Sequence, residues 1–214
     1  MTFFDNLAEK THQDFETRHL VREDALKQTR LLTRCSANAI RAIHRDERDV
    51  AEENMLAGRK IVDDLKKSVE PYPEIYFSGY TQDALKEFVE ARLTIAFLNN
   101  EELPMPEDMG IEYATYIRGL AETIGEMRRR CMDILRQGYS DEAERLLSLM
   151  DDIYAILVTL DYPDAITYGL RRQTDMVRGI IERTRADLTL ALREQRLQQS
   201  LHEFEQRING NGQG

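Results

Sequence analysis

The chain has 214 residues, of which 42% are apolar and 32% charged, with a formal net charge of −10. That length suffices to bury a sizeable core, and no run approaches the roughly eighteen uninterrupted apolar residues of a membrane span. An acidic balance argues, on average, against a nucleic-acid partner, although a net charge does not say where the positive groups gather.

From Phe3 to about His44 there is neither Gly nor Pro, and Leu20, Leu31, Cys35, Ile40 and Ile43 recur at helical intervals among charges. The N-terminus runs straight into charged sequence, so no signal peptide is expected and the protein is expected to be cytoplasmic. A helix of about forty residues would extend ~60 Å. A second helix is expected from about Glu47 to Val69, ended by Pro71 and Pro73. Thr81 is placed to cap a third, running to about Asn99. Leu103-Pro104-Met105-Pro106 forces a loop, after which helix resumes near Met109 and stops at Gly138. Ser140 caps a fifth helix to about Leu160, and Asp161-Tyr162-Pro163 opens a last long helix toward Ile208. The Gly/Asn run Asn209–Gly214 is expected to be disordered.

No segment alternates apolar and polar residues with a strand's period of two. The expectation is therefore all-α: a bundle of six to seven helices over residues 1–208. Its long first and last helices would need an oligomer to cover their excess apolar stripe. Cys35 and Cys131 form no C-x-x-C pair and read as two buried, reduced thiols; the four histidines are scattered without metal-ligand spacing.

Two acidic pairs carry the chemistry. Glu87 and Glu90, three apart, share a face of the third helix opposite Leu85, Phe88, Val89 and Ala96. Glu122 and Glu126, four apart, share a face of the fourth, away from Leu120, Ile124, Met127 and Cys131. Paired Glu on an outer helix face is ordinarily solvated surface. Two such pairs on facing helices are also what a Mg²⁺ or Mn²⁺ site requires, since hard cations take oxygen ligands and this spacing aims two at one point. Such a site would activate water against a phosphodiester. Gly119 and Gly125, each about 1 kcal/mol worse than Ala inside a helix, point to close backbone approach or ligand access.

Basic residues cluster more tightly than the net charge implies. Arg128-Arg129-Arg130 ends the fourth helix, and Arg171, Arg172, Arg178, Arg183 and Arg185 decorate the last, whose core stripe reads Ile166, Leu170, Val177, Ile180, Ile181, Thr184 and Leu188. Asp175 and Glu182 stand at pairing distance, so the arginines form either a salt-laced solvent face or phosphate-binding forks.

Tyr162 through Thr184 (YPDAITYGLRRQTDMVRGIIERT) resembles the C-terminal helix signature of the translin superfamily. Ser36–Arg45, Gly79–Ala91 (GYTQDALKEFVEA) and Gly119–Arg128 (GLAETIGEMR) resemble further family segments in the same order, so the resemblance covers residues 3 to 208. It lies nearer the catalytic branch, translin-associated factor X (Trax), than translin itself. The resemblance implies a hollow, octamer-like homo-oligomeric shell, acidic outside and basic within, with metal-dependent endoribonuclease activity on its inner wall. The family's acidic cluster falls on Glu87, Glu90, Glu122 and Glu126, which would hold Mg²⁺ or Mn²⁺; at the position of Glu122 the catalytic branch usually has Asp. Arg128, Arg129, Arg171 and Arg172 are the residues chosen for RNA contacts. Two rival readings are a translin-like protein that holds RNA or single-stranded DNA without cutting it, and an all-α nucleotide pyrophosphatase with Glu-x-x-Glu pairs around Mg²⁺.

Overall fold

Straight-chain helix formers, few prolines and no alternating segments leave helices as the only regular structure available to this chain. The computed structural model describes residues 2–211, and among them there are nine α-helices and no strand. They are α1 (Phe3–His44), α2 (Arg48–Val69), α3 (Pro73–Tyr76), α4 (Gly79–Asn99), α5 (Pro106–Met109), α6 (Tyr113–Leu135), α7 (Asp141–Leu157), α8 (Asp164–Thr167) and α9 (Leu170–Asn211). No helix among the described residues is long and apolar enough to cross a membrane. By internal contacts the chain forms two compact units, residues 1–119 and 120–214, with the boundary inside α6.

In the first unit α1 packs along α2 and α4. Its buried face is Ala25, Thr29, Leu32, Ser36, Ala39, Ala42 and Ile43. This corrects the stripe expected from the largest apolar residues: Leu20 and Leu31 are exposed, and Cys35 and Ile40 are only half-buried. The difference is physical: small side chains let neighbouring helices approach, so the face rich in Ala and Ser is covered and the bulkier Leu31 is turned out. Thr81 does not cap α4. The helix begins earlier, at Gly79 with Ser78 in the cap position, and Thr81 is buried with its hydroxyl donating to the Ile75 carbonyl over 2.8 Å. The α4 residues Leu85, Phe88, Val89 and Ala96 are all buried, as their spacing predicts.

In the second unit Ser140 caps α7 as expected, its hydroxyl accepting from the Glu142 N–H over 3.2 Å, with Asp141, Glu142 and Glu144 in the first turn where the helix dipole favours acids. Leu120, Ile124, Met127 and Cys131 are buried on α6. Burial pushes the Cys131 thiol up to about 11, so it stays protonated at neutral pH, whereas Cys35 is only half-buried.

The expected last helix is broken. Tyr168 (φ 51°) and Gly169 (φ 86°) are left-handed, which ends the four-residue α8 and starts α9 at Leu170. Leu170, Val177, Ile181, Thr184 and Leu188 are buried and Ile180 half-buried, but Ile166 belongs to α8 and is exposed. The helix continues through Asn211, including the start of the Gly/Asn run expected to be disordered; residues 212–214 lie outside the described residues.

Candidate functional site

The acidic pairs divide between the two units, Glu87 and Glu90 in the first, Glu122 and Glu126 in the second. All four side chains are half-buried. In the first unit Glu87 and Glu90 flank, in sequence, a close approach between two helices. A Cβ built on Gly119 of α6 would lie 2.7 Å from Val89 Cγ1, 2.8 Å from Val89 Cβ and 2.9 Å from the Lys86 carbonyl oxygen. Only Gly permits this approach between α6 and the α4 segment that carries the first pair. Next to it, Arg118 reaches back to Asp83 Oδ1 over 3.1 Å, and the Thr115 hydroxyl donates to Gln82 Oε1 in a buried hydrogen bond.

Gly125 behaves differently. Nothing lies within 4 Å of a Cβ placed there, and the residue is exposed. It leaves open space between the turns bearing Glu122 and Glu126. Because no contact requires a glycine, Gly125→Ala is expected to stabilise the second unit by up to about 1 kcal/mol, measured as a rise in thermal midpoint.

In the second unit Gln173 of α9 donates from Nε2 to Glu122 Oε1 over 3.1 Å, while its own Oε1 is buried without a hydrogen-bond partner. Sequence spacing did not single out Gln173, because its partner lies on a helix fifty-one positions away. Its neighbours Arg171 and Arg172 are exposed in the first turn of α9, where helix N–H groups and the dipole favour anions. The break at Tyr168 and Gly169 thus sets a helix start, two arginines and the Glu122 partner within one turn.

The other basic residues are differently placed. Arg128 Nη1 donates to Thr184 Oγ1 over 2.9 Å and Nη2 to Asp187 Oδ2 over 2.8 Å, so this guanidinium ties α6 to α9. Arg129 is exposed, with Nη1 3.6 Å from Glu126 Oε2. Arg185 pairs with Asp151 of α7 at 2.7 Å rather than along its own helix.

An all-carboxylate donor set suits a hard divalent cation. Among the described residues, no three His, Cys, Asp or Glu side chains are grouped as closely as a bound ion requires.

An uncharacterized protein of Methanocaldococcus jannaschii is 34% identical over 185 residues, 85% of this chain and 81% of that protein. The crystal structure of AfC3PO is 31% identical with a TM-score of 0.79, over 86% of this chain and 96% of that one. The structure of the AfC3PO–duplex RNA complex matches at the same identity and TM-score, over 86% and 95% of the two chains. Apo-NeC3PO, at 20% identity, shares the fold, with a TM-score of 0.75 over 89% and 98%. No family model matches the chain. The 31% identity with AfC3PO over most of both chains, on a common all-helical fold, makes this protein a member of the translin superfamily.

Proposed function

We propose that the chain is a metal-dependent endoribonuclease of the Trax type, hydrolysing phosphodiester bonds in single-stranded or short structured RNA in the cytoplasm. The observation that carries this reading is the α9 turn in which Gln173 meets Glu122 and the exposed Arg171 and Arg172 follow the helix start. It places the partner of Glu122 and two exposed guanidinium groups, suited to phosphate, within one helical turn. That AfC3PO was solved with duplex RNA supports RNA as the ligand class.

Glu87, Glu90, Glu122 and Glu126 would hold Mg²⁺ or Mn²⁺, which when bound supplies an acidified water and offsets charge developing on the phosphate. Gln173 would orient Glu122, and Arg171 and Arg172 would fix the strand by paired N–H donors to phosphate oxygens. Arg129, exposed beside Glu126, is a further contact for the strand. Arg128 would act mainly by holding α6 to α9, given its two bonds to Thr184 and Asp187.

Homo-oligomerisation into an octamer-like shell is supported by the exposed apolar residues Phe3, Phe4, Leu7 and Phe15 on α1 and Leu197, Leu201, Phe204 and Ile208 on α9. A non-catalytic reading, a translin-like binder of RNA or single-stranded DNA, draws on the partners that Glu122 and Glu126 already have. Incubating the protein with end-labelled single-stranded RNA in Mg²⁺, Mn²⁺ or EDTA separates the two. Cutting in metal and none in EDTA is the expected result; RNA bound intact in all three leaves the binder.

A further inference from the structure

The segment Ala25–His44 of α1 contains Lys27, Arg30, Arg34 and Arg41 but no Asp or Glu, in a chain whose net charge is −10. The preceding half of the same helix, by contrast, mixes Asp5, Glu9, Asp14, Glu16, Glu23 and Asp24 with Lys10, Arg18 and Arg22. At 3.6 residues per turn the four basic residues and Asn38 fall within an arc of roughly 80°. The opposite side of the helix is the buried face through Ala25, Leu32, Ser36 and Ala39.

All four basic side chains are exposed. Lys27, Arg30 and Arg34 make no hydrogen bond or ion pair among the described residues, and Arg41 donates to Asn38 Oδ1 over 2.6 Å. Most other arginines of this unit are matched to acids, Arg48 excepted: Arg18 with Asp14 and Glu74, Arg45 with Glu47, Arg92 with Glu52 and Glu101, and Arg118 with Asp83. The α1 stripe is therefore a line of positive charge left uncompensated by its own fold.

We propose that this face of α1 binds the phosphate backbone of RNA. Lys27, Arg34 and Arg41 recur every seventh residue, so the stripe is a straight row roughly 21 Å long at 1.5 Å per residue. A linear polyanion matches such a row, and arginine forks suit its phosphate oxygens. A protein partner would instead need a central apolar or aromatic anchor, and this face offers only Leu31 at its edge. The proposal rests on the RNA reading above, but it concerns the first unit and is independent of Arg171 and Arg172. It assigns backbone positioning and not base readout, so binding through it would be indifferent to sequence.

The test compares the wild-type protein with an Arg30→Gln/Arg34→Gln/Arg41→Gln variant, using fluorescently labelled single-stranded RNA in EDTA, so that cleavage does not intervene. Affinity is measured by anisotropy across a salt series. Single-strand binding loses about 0.7 in log–log salt slope per phosphate contact, so the variant is expected to show a slope shallower by about 2. Its affinity at low salt should fall at least about tenfold, with the same loss for RNAs of different sequence. Melting temperature and oligomeric mass should be unchanged, since all three side chains are exposed. Equal slopes for the two proteins would overturn the stripe and leave the RNA reading standing. A wild-type protein that binds no RNA would overturn both. A variant that loses oligomeric mass would assign the stripe to an acidic surface of a second copy and also overturn the proposal.

Discussion

Glu126→Gln is expected to reduce metal-dependent RNA cleavage by at least about 100-fold, or ~2.7 kcal/mol of transition-state stabilisation, while RNA is still bound. The substitution keeps the side chain's size and replaces an anionic oxygen donor with a neutral amide, which ligates hard cations poorly. It also removes a half-exposed ion pair with Arg129 at 3.6 Å, and such pairs contribute under about 1 kcal/mol. The variant should therefore melt close to the wild type, so lost activity reports chemistry and not unfolding. Single-turnover cleavage in Mn²⁺, run beside anisotropy in EDTA, reads the two quantities separately. A variant that cuts as fast as the wild type removes Glu126 from the site.

Gly119→Ala is expected to destabilise the first unit by about 1–3 kcal/mol, the range for forced overpacking of a well-packed core. The added methyl would meet Val89 at 2.7 and 2.8 Å and the Lys86 carbonyl at 2.9 Å, and a helix carbonyl has no rotamer by which to move away. Val89 is itself fully buried, so Val89→Ala alone leaves a cavity and is also destabilising. Together the two changes should cost less than their sum by at least about 0.5 kcal/mol, because the shorter side chain makes room for the new methyl. The residual cost would come from Lys86, whose backbone remains in place. Chemical denaturation of the four proteins in the cycle measures this coupling; strict additivity would mean that α4 and α6 do not approach as closely at Gly119. Because Lys86 and Val89 flank Glu87 and Glu90, a folded Gly119→Ala protein should also cleave RNA more slowly.

Where the two glycines of α6 are concerned, sequence alone treats them alike, and the tertiary structure separates them. Gly119 is required by a neighbouring helix; Gly125 faces open space. The same division runs through the candidate site. The faces carrying Glu87 with Glu90 and Glu122 with Glu126 follow from residue spacing on a helix. That Gln173 bonds Glu122, and that Arg128 is engaged by Thr184 and Asp187, depends on which helices meet, over separations of more than fifty residues. The basic row on α1 was not among the clusters read from the sequence, because its residues stand three to seven apart; it emerged only with the burial of the opposite face and the missing partners of Lys27, Arg30 and Arg34.

What the amino-acid sequence determined by itself is the helical content, the Ser140 cap and the apolar stripes of α4 and α6, because these follow from propensity, capping and a 3.6-residue period within a few turns of chain. What only the tertiary structure decided is the register of α1, where Leu32 is buried and Leu31 is not, and the break that starts α9 at Leu170. A helical period defines a face only to within about one residue. Which side of that face is covered is set by how closely the neighbouring helices can approach, and that depends on small residues such as Ala39 and Gly119 meeting side chains from distant parts of the chain.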